Sequence, residues 1–221
     1  MNMNNNNLME TFYLETPSLE RKNEIMDYIN EFVEYKSDIN GTGSLDKILD
    51  GYTFEQALES CLNMQYEEYA KKYGRCPGKT FLLIRKNDNK IIGTINVRWN
   101  LTEEMKWFGG NIGYGIRPTE RRKGYNKMNL YLGLIEAKKI GLDKVMLDCD
   151  VENLGSSKTM EALGGKLERT EIDPYDGILT SVYWINVDES LEKYKNEYVN
   201  SIDKSYENKF MKWLKKSKNN E

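Results

Sequence analysis

The residues best suited to chemistry lie between 112 and 130, in the run IGYGIRPTERRKGYNKMNL. A strand-like stretch, 112–117, leads into a tight basic turn that opens directly into a helical pattern over 124–140. Such a turn presents free backbone N–H groups at the positive end of a helix. Arg121, Arg122 and Lys123 add side-chain charge, and Gly124 lets the backbone approach a ligand closely. Together these predict an anion cradle suited to a pyrophosphate. Neither common phosphate motif is present. No G-x-x-x-x-G-K-[ST] run exists, and Gly109, Gly110, Gly113 and Gly115 precede or sit in a strand instead of opening a helix.

A second cluster follows at 145–168, VMLDCDVENLGSSKTMEALGGKLE. Alternation in KVMLDCD places Met146, Asp148 and Asp150 on one face of a strand, with Val145, Leu147 and Cys149 on the other. Asp148 or Asp150 can bind an ammonium group or relay its proton through water; the plainer role is to cap or hold nearby loops. Cys149, between two carboxylates, is a poor nucleophile, because a reactive thiol needs positive surroundings. Glu103 and Glu104, in LTEEMKW, are further candidates to sit over an acceptor site.

Composition restricts what these residues can be asked to do. The 221 residues contain no histidine, which removes imidazole bases, Ser-His and Cys-His pairs and His-ligated metal sites. No metal site is expected. Lys+Arg 32 against Asp+Glu 35 gives a formal net charge of -3, which argues against bulk binding to nucleic acid or anionic membranes. Cys61, Cys76 and Cys149 are sparse and form no C-x-x-C pair, the pattern of reduced thiols in a cytoplasmic protein. No apolar run approaches the roughly 18–20 residues of a membrane span.

The elements that must position the two clusters read as one α/β domain over 11–187. Residues 11–15 form a short strand, 18–35 a helix behind Ser18, and Asn40-Gly41-Thr42-Gly43 a Gly-rich loop. Thr53 and Gln56 make a capping box for a helix reaching Lys72. TFLLIRK and KIIGTINVRWN are strands joined at Asn87-Asp88-Asn89. Helix 124–140 stops at Gly141, a helix follows from Asn153 to Leu163, and KLERTEI and ILTSVYWINV close the set as strands. Residues 1–10 are an Asn-rich tail, expected to be disordered. From 188 to 221, Leu191, Tyr194, Tyr198, Ile202, Tyr206, Phe210 and Trp213 recur at helical spacing. That amphipathic helix is expected to dock on its own domain or on a second copy, which leaves open a homodimer through it.

The two clusters together resemble the GNAT superfamily of acetyl-CoA-dependent N-acyltransferases, closest to a bacterial subgroup of predicted acetyltransferases. The family loop Q/R-x-x-G-x-G/A corresponds to Arg121-Arg122-Lys123-Gly124-Tyr125-Asn126. Asn153, Ser156 and Leu163-Gly164-Gly165 correspond to its second element. The resemblance implies the GNAT fold, a mixed central sheet flanked by helices, here with an extra C-terminal helix. It implies acetyl-CoA as cosubstrate and a small-molecule or peptide amine as acceptor. Residue by residue, it implies that main-chain groups at Tyr114 and Ile116 pair with the pantetheine arm and that the Tyr114 amide faces the thioester oxygen. Residues Arg121 to Asn126 would hold the pyrophosphate, and Asn153 and Ser156 would flank the pantetheine. Asn153 can equally be a helix cap, and Ser156 a small packing residue.

The chain departs from the family pattern in four places. Asn126 stands where a small residue is usual, so its side chain must turn away from the phosphates. The tyrosine that protonates the leaving thiolate in many members falls at Met160, and a catalytic Glu position falls at Gly110. Asn111 replaces a neighbouring histidine. Tyr114, Tyr125 and Tyr183 are the phenols left to protonate a thiolate. The helices at 18–35 and 53–72 are expected to wall the acceptor site, and Glu55, Glu59, Glu67 and Glu68 hint at a cationic acceptor. The alternative is a catalytically degenerate CoA-binding or regulatory module that acts through its C-terminal helix.

Overall fold

The computed structural model describes residues 10–217; the Asn-rich start and the last four residues lie outside it, as do the side chains of Leu214, Lys216 and Ser217. Seven strands form two antiparallel sheets. The first has the order β1 (Phe12–Glu15), β2 (Gly78–Arg85), β3 (Lys90–Arg98) and β4 (Ile112–Ile116). The second places β7 (Leu179–Asn186) between β5 (Lys144–Asp150) and β6 (Lys166–Ile172). The expected mixed sheet is therefore present as two antiparallel halves. The crossover through helix α5 (Tyr125–Lys139) brings their inner strands, β4 and β5, side by side.

Those two strands touch at one point. The Asn111 N–H donates to the Met146 carbonyl at 2.7 Å, and the Asn111 side-chain oxygen accepts the Met146 N–H at 2.8 Å. Its side-chain nitrogen donates to the Arg98 carbonyl at 3.1 Å, while its own carbonyl accepts the Arg98 N–H at 2.7 Å. A single asparagine thus imitates a ladder rung between β4 and β5 and ties both to β3. No ladder joins β4 to β5 beyond this point, and the strands diverge. Gly110 makes the approach possible. It has φ +57°, and a Cβ there would lie 2.3 Å from the Met146 carbonyl oxygen, so no side chain fits at the position of the family's Glu.

Helices cover both faces of the first sheet. On one face, Leu82, Ile84 and Ile91 pack against Ile25, Ile29 and Phe32 of α1 (Lys22–Glu34) and Leu58 of α2 (Phe54–Asn63). The Thr53–Gln56 capping box forms as expected. The helix predicted to reach Lys72 breaks, however, and resumes as α3 (Glu67–Lys72) after a turn. On the other face, Leu83, Ile95 and Val97 pack against α5, which is buried around most of its circumference. A short helix, α4 (Glu103–Trp107), replaces the predicted LTEEMKW loop, with the Thr102 side chain accepting the Met105 N–H at 3.3 Å.

The C-terminal stripe forms two helices instead of one, α7 (Val187–Tyr198) and α8 (Lys204–Ser217), separated by a turn and Ile202. The break lets the chain turn back to β1: Ile202 bridges Phe12, and the Asp203 N–H bonds the Phe12 carbonyl at 2.9 Å. Tyr198 stacks on Tyr131 of α5 with centroids 4.8 Å apart, and Leu191, Tyr194, Tyr206 and Phe210 pack on the main core. The segment therefore docks on its own domain. Helix α6 (Leu154–Ala162) lies next to α5 and β5. Among the described residues, no helix is long and apolar enough to cross a membrane.

Asn111→Ala leaves the buried Met146 N–H and Arg98 carbonyl without their side-chain partners. We expect it to destabilise the fold by roughly 3 kcal/mol, given about 1–3 kcal/mol for each unsatisfied group. Urea denaturation of the variant against the wild type measures this.

Candidate active site

The divergence of β4 and β5 opens a cleft of about 1140 Å³. Its geometry follows from the pairing of β4 with β3. The Arg98 N–H bonds the Asn111 carbonyl and the Arg117 N–H bonds the Ile92 carbonyl, in the register that sets Tyr114 opposite Ile95 and Ile116 opposite Gly93. Bonded and non-bonded pairs alternate along an antiparallel ladder. Tyr114 and Ile116 fall on non-bonded pairs, so their backbone groups turn away from β3 into the cleft. The Ile116 carbonyl is taken by Arg121 Nε at 3.0 Å, which leaves its N–H.

At the far end of β4 lies the basic turn. Arg122 has φ +62° and Gly124 φ +84°, and this double left-handed bend reverses the chain into α5. Gly124 is the N-cap of α5 and no side chain caps that helix, so the donors of its first turn stay available. A Cβ at Gly124 would meet nothing within 4 Å, which shows the loop's outer surface is open. The three cations divide. Arg121 reaches back to Ser37 Oγ at 2.8 Å and lies over the Phe32 ring. Lys123 pairs with Glu120 at 2.8 Å. Only Arg122 has no side-chain partner among the described residues, and Lys127 and Lys158 add charge at the rim.

Glu120 anchors this loop. Its carboxylate is 5% exposed and bridges Arg85 at 3.1 Å, Lys90 at 3.2 Å and Lys123 at 2.8 Å. Burial pushes its pKa up, but the hydrogen bonds from Lys123, Arg85 and Lys90 outweigh that and hold it at about 2. A second tie runs from Glu31 on α1 to Arg117 Nε at 2.7 Å and to both the N–H and hydroxyl of Thr119 at 2.8 Å. The cradle is thereby fixed to the sheet on one side and to α1 on the other.

The remaining candidates sort by position. The Tyr114 phenol and Ser156 Oγ lie 2.8 Å apart across the cleft, and burial raises the phenol's pKa well above its usual value. Asn153 caps α6 by accepting the Ser156 N–H at 3.1 Å, the plainer of its two expected roles, while still lining the cleft. The Asn126 side chain points to α6, with Nδ2 3.4 Å from Thr159 Oγ1 and Oδ1 buried without a partner. It thus turns from the loop toward α6. Asp148 accepts the Gly109 N–H, and burial raises its pKa. Asp150 lies on the same strand face, exposed at the cleft margin.

Several expected residues are placed elsewhere. The Tyr125 hydroxyl donates to Glu10 at 2.7 Å and accepts from Arg85 at 3.2 Å, so only its backbone belongs to the cradle. Tyr183 is buried in the main core. Cys149 lines the cleft, but burial, partly offset by Ser156 and reinforced by Asp148 and Asp150, pushes its thiol up to about 11. Glu55 pairs with Lys22 at 2.7 Å and Glu67 with Lys71 at 3.6 Å, and none of Glu55, Glu59, Glu67 and Glu68 lines the cleft. These four glutamates therefore give no support to a cationic acceptor. Of α1 and α2, the wall takes mainly their connection, Ser37 to Gly43. Glu104 lines the cleft, whereas Glu103 pairs with Lys106 at 2.6 Å.

Sequence reasoning missed Arg98 and the stitching role of Asn111. The signal for Arg98 was present: Thr94, Asn96 and Arg98 put three polar groups at every second position of an otherwise apolar strand.

An acetyltransferase (GNAT) domain model matches residues 30–166, and the chain belongs to the GNAT acetyltransferase family. A comparison with curated protein sequences gives no match. Among solved structures, the chain is similar to RimL, the ribosomal L7/L12 α-N-protein acetyltransferase, in complex with coenzyme A. The TM-score is 0.55 at 16% identity, over 80% of this chain and 95% of that one. It is similar also to the Microcin C7 self-immunity acetyltransferase MccE in complex with acetyl-CoA and AMP (TM-score 0.54, 17% identity, 80% and 92% covered). A third is the spermidine N-acetyltransferase SpeG chimera from Vibrio cholerae and hSSAT (TM-score 0.55, 14% identity, 82% and 98% covered). At these identities the likeness is one of fold.

Because Glu120 is held at about 2, below the roughly 4.3 of an unfolded chain, the group stabilises the fold fully above that unfolded value. The stabilisation falls away as pH drops through the folded value. It amounts to at most about 3 kcal/mol. Glu120→Gln should flatten the decline of stability between pH 4.5 and 2, measured by denaturation at stepped pH.

Proposed function

We propose that this chain moves an acetyl group from acetyl-CoA to the amine of a small molecule or peptide by direct attack. The observation that carries the reading is continuity: free β4 backbone donors at Tyr114 and Ile116 run into the uncapped N-terminus of α5. A pantetheine arm can pair with the first as an added strand would, and the pyrophosphate can sit on the second. The complexes of RimL with coenzyme A and of MccE with acetyl-CoA support this cosubstrate. The protein-directed RimL and the spermidine-directed SpeG support an amine acceptor.

Acetyl-CoA supplies the activated thioester when bound. The Tyr114 N–H is aimed where negative charge develops on the thioester oxygen, and a fixed backbone donor in a sheltered cleft is effective there. The Tyr114 phenol, kept protonated by burial, donates with Ser156 to the departing sulfur. It acts as a hydrogen-bond donor to charge and does not itself ionise. Asp148, whose pKa burial raises, takes up the amine's proton through water. Asp150 extends the same negative face toward solvent. Arg121 to Asn126 hold the phosphates by main-chain amides, with Arg122 as the side-chain cation, and Asn153 and Ser156 close the pantetheine side.

Gly124→Glu places bulk and negative charge on the open side of the cradle. We expect a loss of CoA affinity of more than about tenfold by calorimetry, with Gly124→Ala as control for the left-handed backbone. Unchanged affinity in a folded Gly124→Glu protein would overturn the pyrophosphate assignment. Tyr114→Phe should lower kcat about 10²-fold with little change in KM for acetyl-CoA. Turnover of acetyl-CoA across an amine panel separates this reading from a fold that holds CoA and catalyses nothing.

A further inference from the structure

The polar stripe on β3 ends in a charge that has no direct ion-pair partner among the described residues. Thr94 accepts from or donates to Tyr28 at 3.2 Å and donates to the Asn40 carbonyl at 3.0 Å. Asn96 donates to Thr80 at 3.0 Å. Arg98, the third member, reaches only the Gly109 carbonyl, through Nη2. Its Nε is buried with no hydrogen-bond partner, and among the described residues no carboxylate forms an ion pair with it. Burial pushes its pKa down, opposed by Cys76 and the Asp148 charge and reinforced by Arg75. A guanidinium whose Nε is buried without a partner leaves a donor unsatisfied, and five donors in a fixed fork make it suited to a carboxylate.

The surroundings leave room for that carboxylate. Arg98 and Arg75 both line the cleft. Beside the guanidinium, β4 carries Gly113, where even a Cβ would come to 3.5 Å from Nη2. Asp148 acts on Arg98 at a distance and forms no direct ion pair with it, because both reach Gly109: Asp148 holds its N–H and Arg98 its carbonyl. Gly109 thus gives its N–H to an anion and its carbonyl to a cation. An ammonium drawn to Asp148 would bring a carboxylate on the same small molecule toward Arg98.

We propose that Arg98 is a specificity-determining residue that binds the carboxylate of the acceptor, and that the acceptor class is an amino acid or short peptide presenting amine and carboxylate together. The proposal rests on the acetyl-transfer reading above and narrows it.

The test uses the full-length protein and two readouts. The twenty L-amino acids and a set of dipeptides are compared with their carboxamides and decarboxylated amines. Calorimetric binding is measured with CoA present, and turnover with acetyl-CoA. The acids should bind, and the best acid should exceed its carboxamide by about 10- to 100-fold, the range for a charged hydrogen bond. Arg98→Gln should raise KM for the acids by a similar factor. It should leave KM for acetyl-CoA unchanged and affect the carboxylate-free amines far less than the acids, and Arg98→Lys should recover part of the loss. The proposal is overturned if no acid binds, if acids and carboxamides are equivalent, or if Arg98→Gln affects both alike. Arg98-dependent binding of acids without any transfer would sink the acetyltransferase reading and keep the carboxylate site. Transfer to plain amines alone would do the reverse.

Discussion

The cleft exists because two strands that run side by side are joined at one residue. A full ladder between β4 and β5 would satisfy every backbone group and leave nothing for a ligand. Asn111 supplies one rung and ends the pairing there, and the bonds from its side chain make that rung hold. The register of β4 against β3 then decides which groups face the opening, since alternate residues turn outward. Tyr114 and Ile116 present their amides because Asn111 sits on the other phase. Position along the strand, more than any one side chain, sets the binding surface.

The second requirement is that the basic turn hold still. Five charged side chains converge there for the purpose: Glu120 with its three cations on one flank, and Glu31 on the other. Two of the three consecutive cations in the turn serve the scaffold, which leaves the backbone amides and Arg122 open to a ligand. A run of positive residues next to a glycine is thus a weaker guide to ligand contact than it looks. The same charges are what fix the amides in place.

Much of this was legible in the residues, for reasons that differ by feature. The strand-turn-helix at 112–140 is local, and local patterns of glycine, charge and apolar spacing report it faithfully. The Thr53 capping box and the two faces of β5 followed equally from spacing. What escaped was set by contacts distant in sequence. The break in the C-terminal stripe serves the return of Ile202 to Phe12, which no local period announces. The split of the sheet depends on Asn111 finding Met146, and in sequence that asparagine was visible only as a missing histidine. The glutamates on α2 and α3 looked like a binding surface, and packing turned them to lysine partners or solvent.

The burial of α5 has a further consequence. This helix is enclosed by the first sheet, by α6 and by the returning C-terminal segment, and is apolar around most of its length. A rod gripped from every side cannot slide or tilt without opening the core. Its N-terminus is therefore a stationary jaw. The opposite side of the cleft is made of the 37–43 connection and the five-residue α4, elements with little buried area of their own. Adjustment to ligands of different shape has to come from that side, so the molecule divides its cleft into a half that fixes one reactant and a half free to be reshaped for the other.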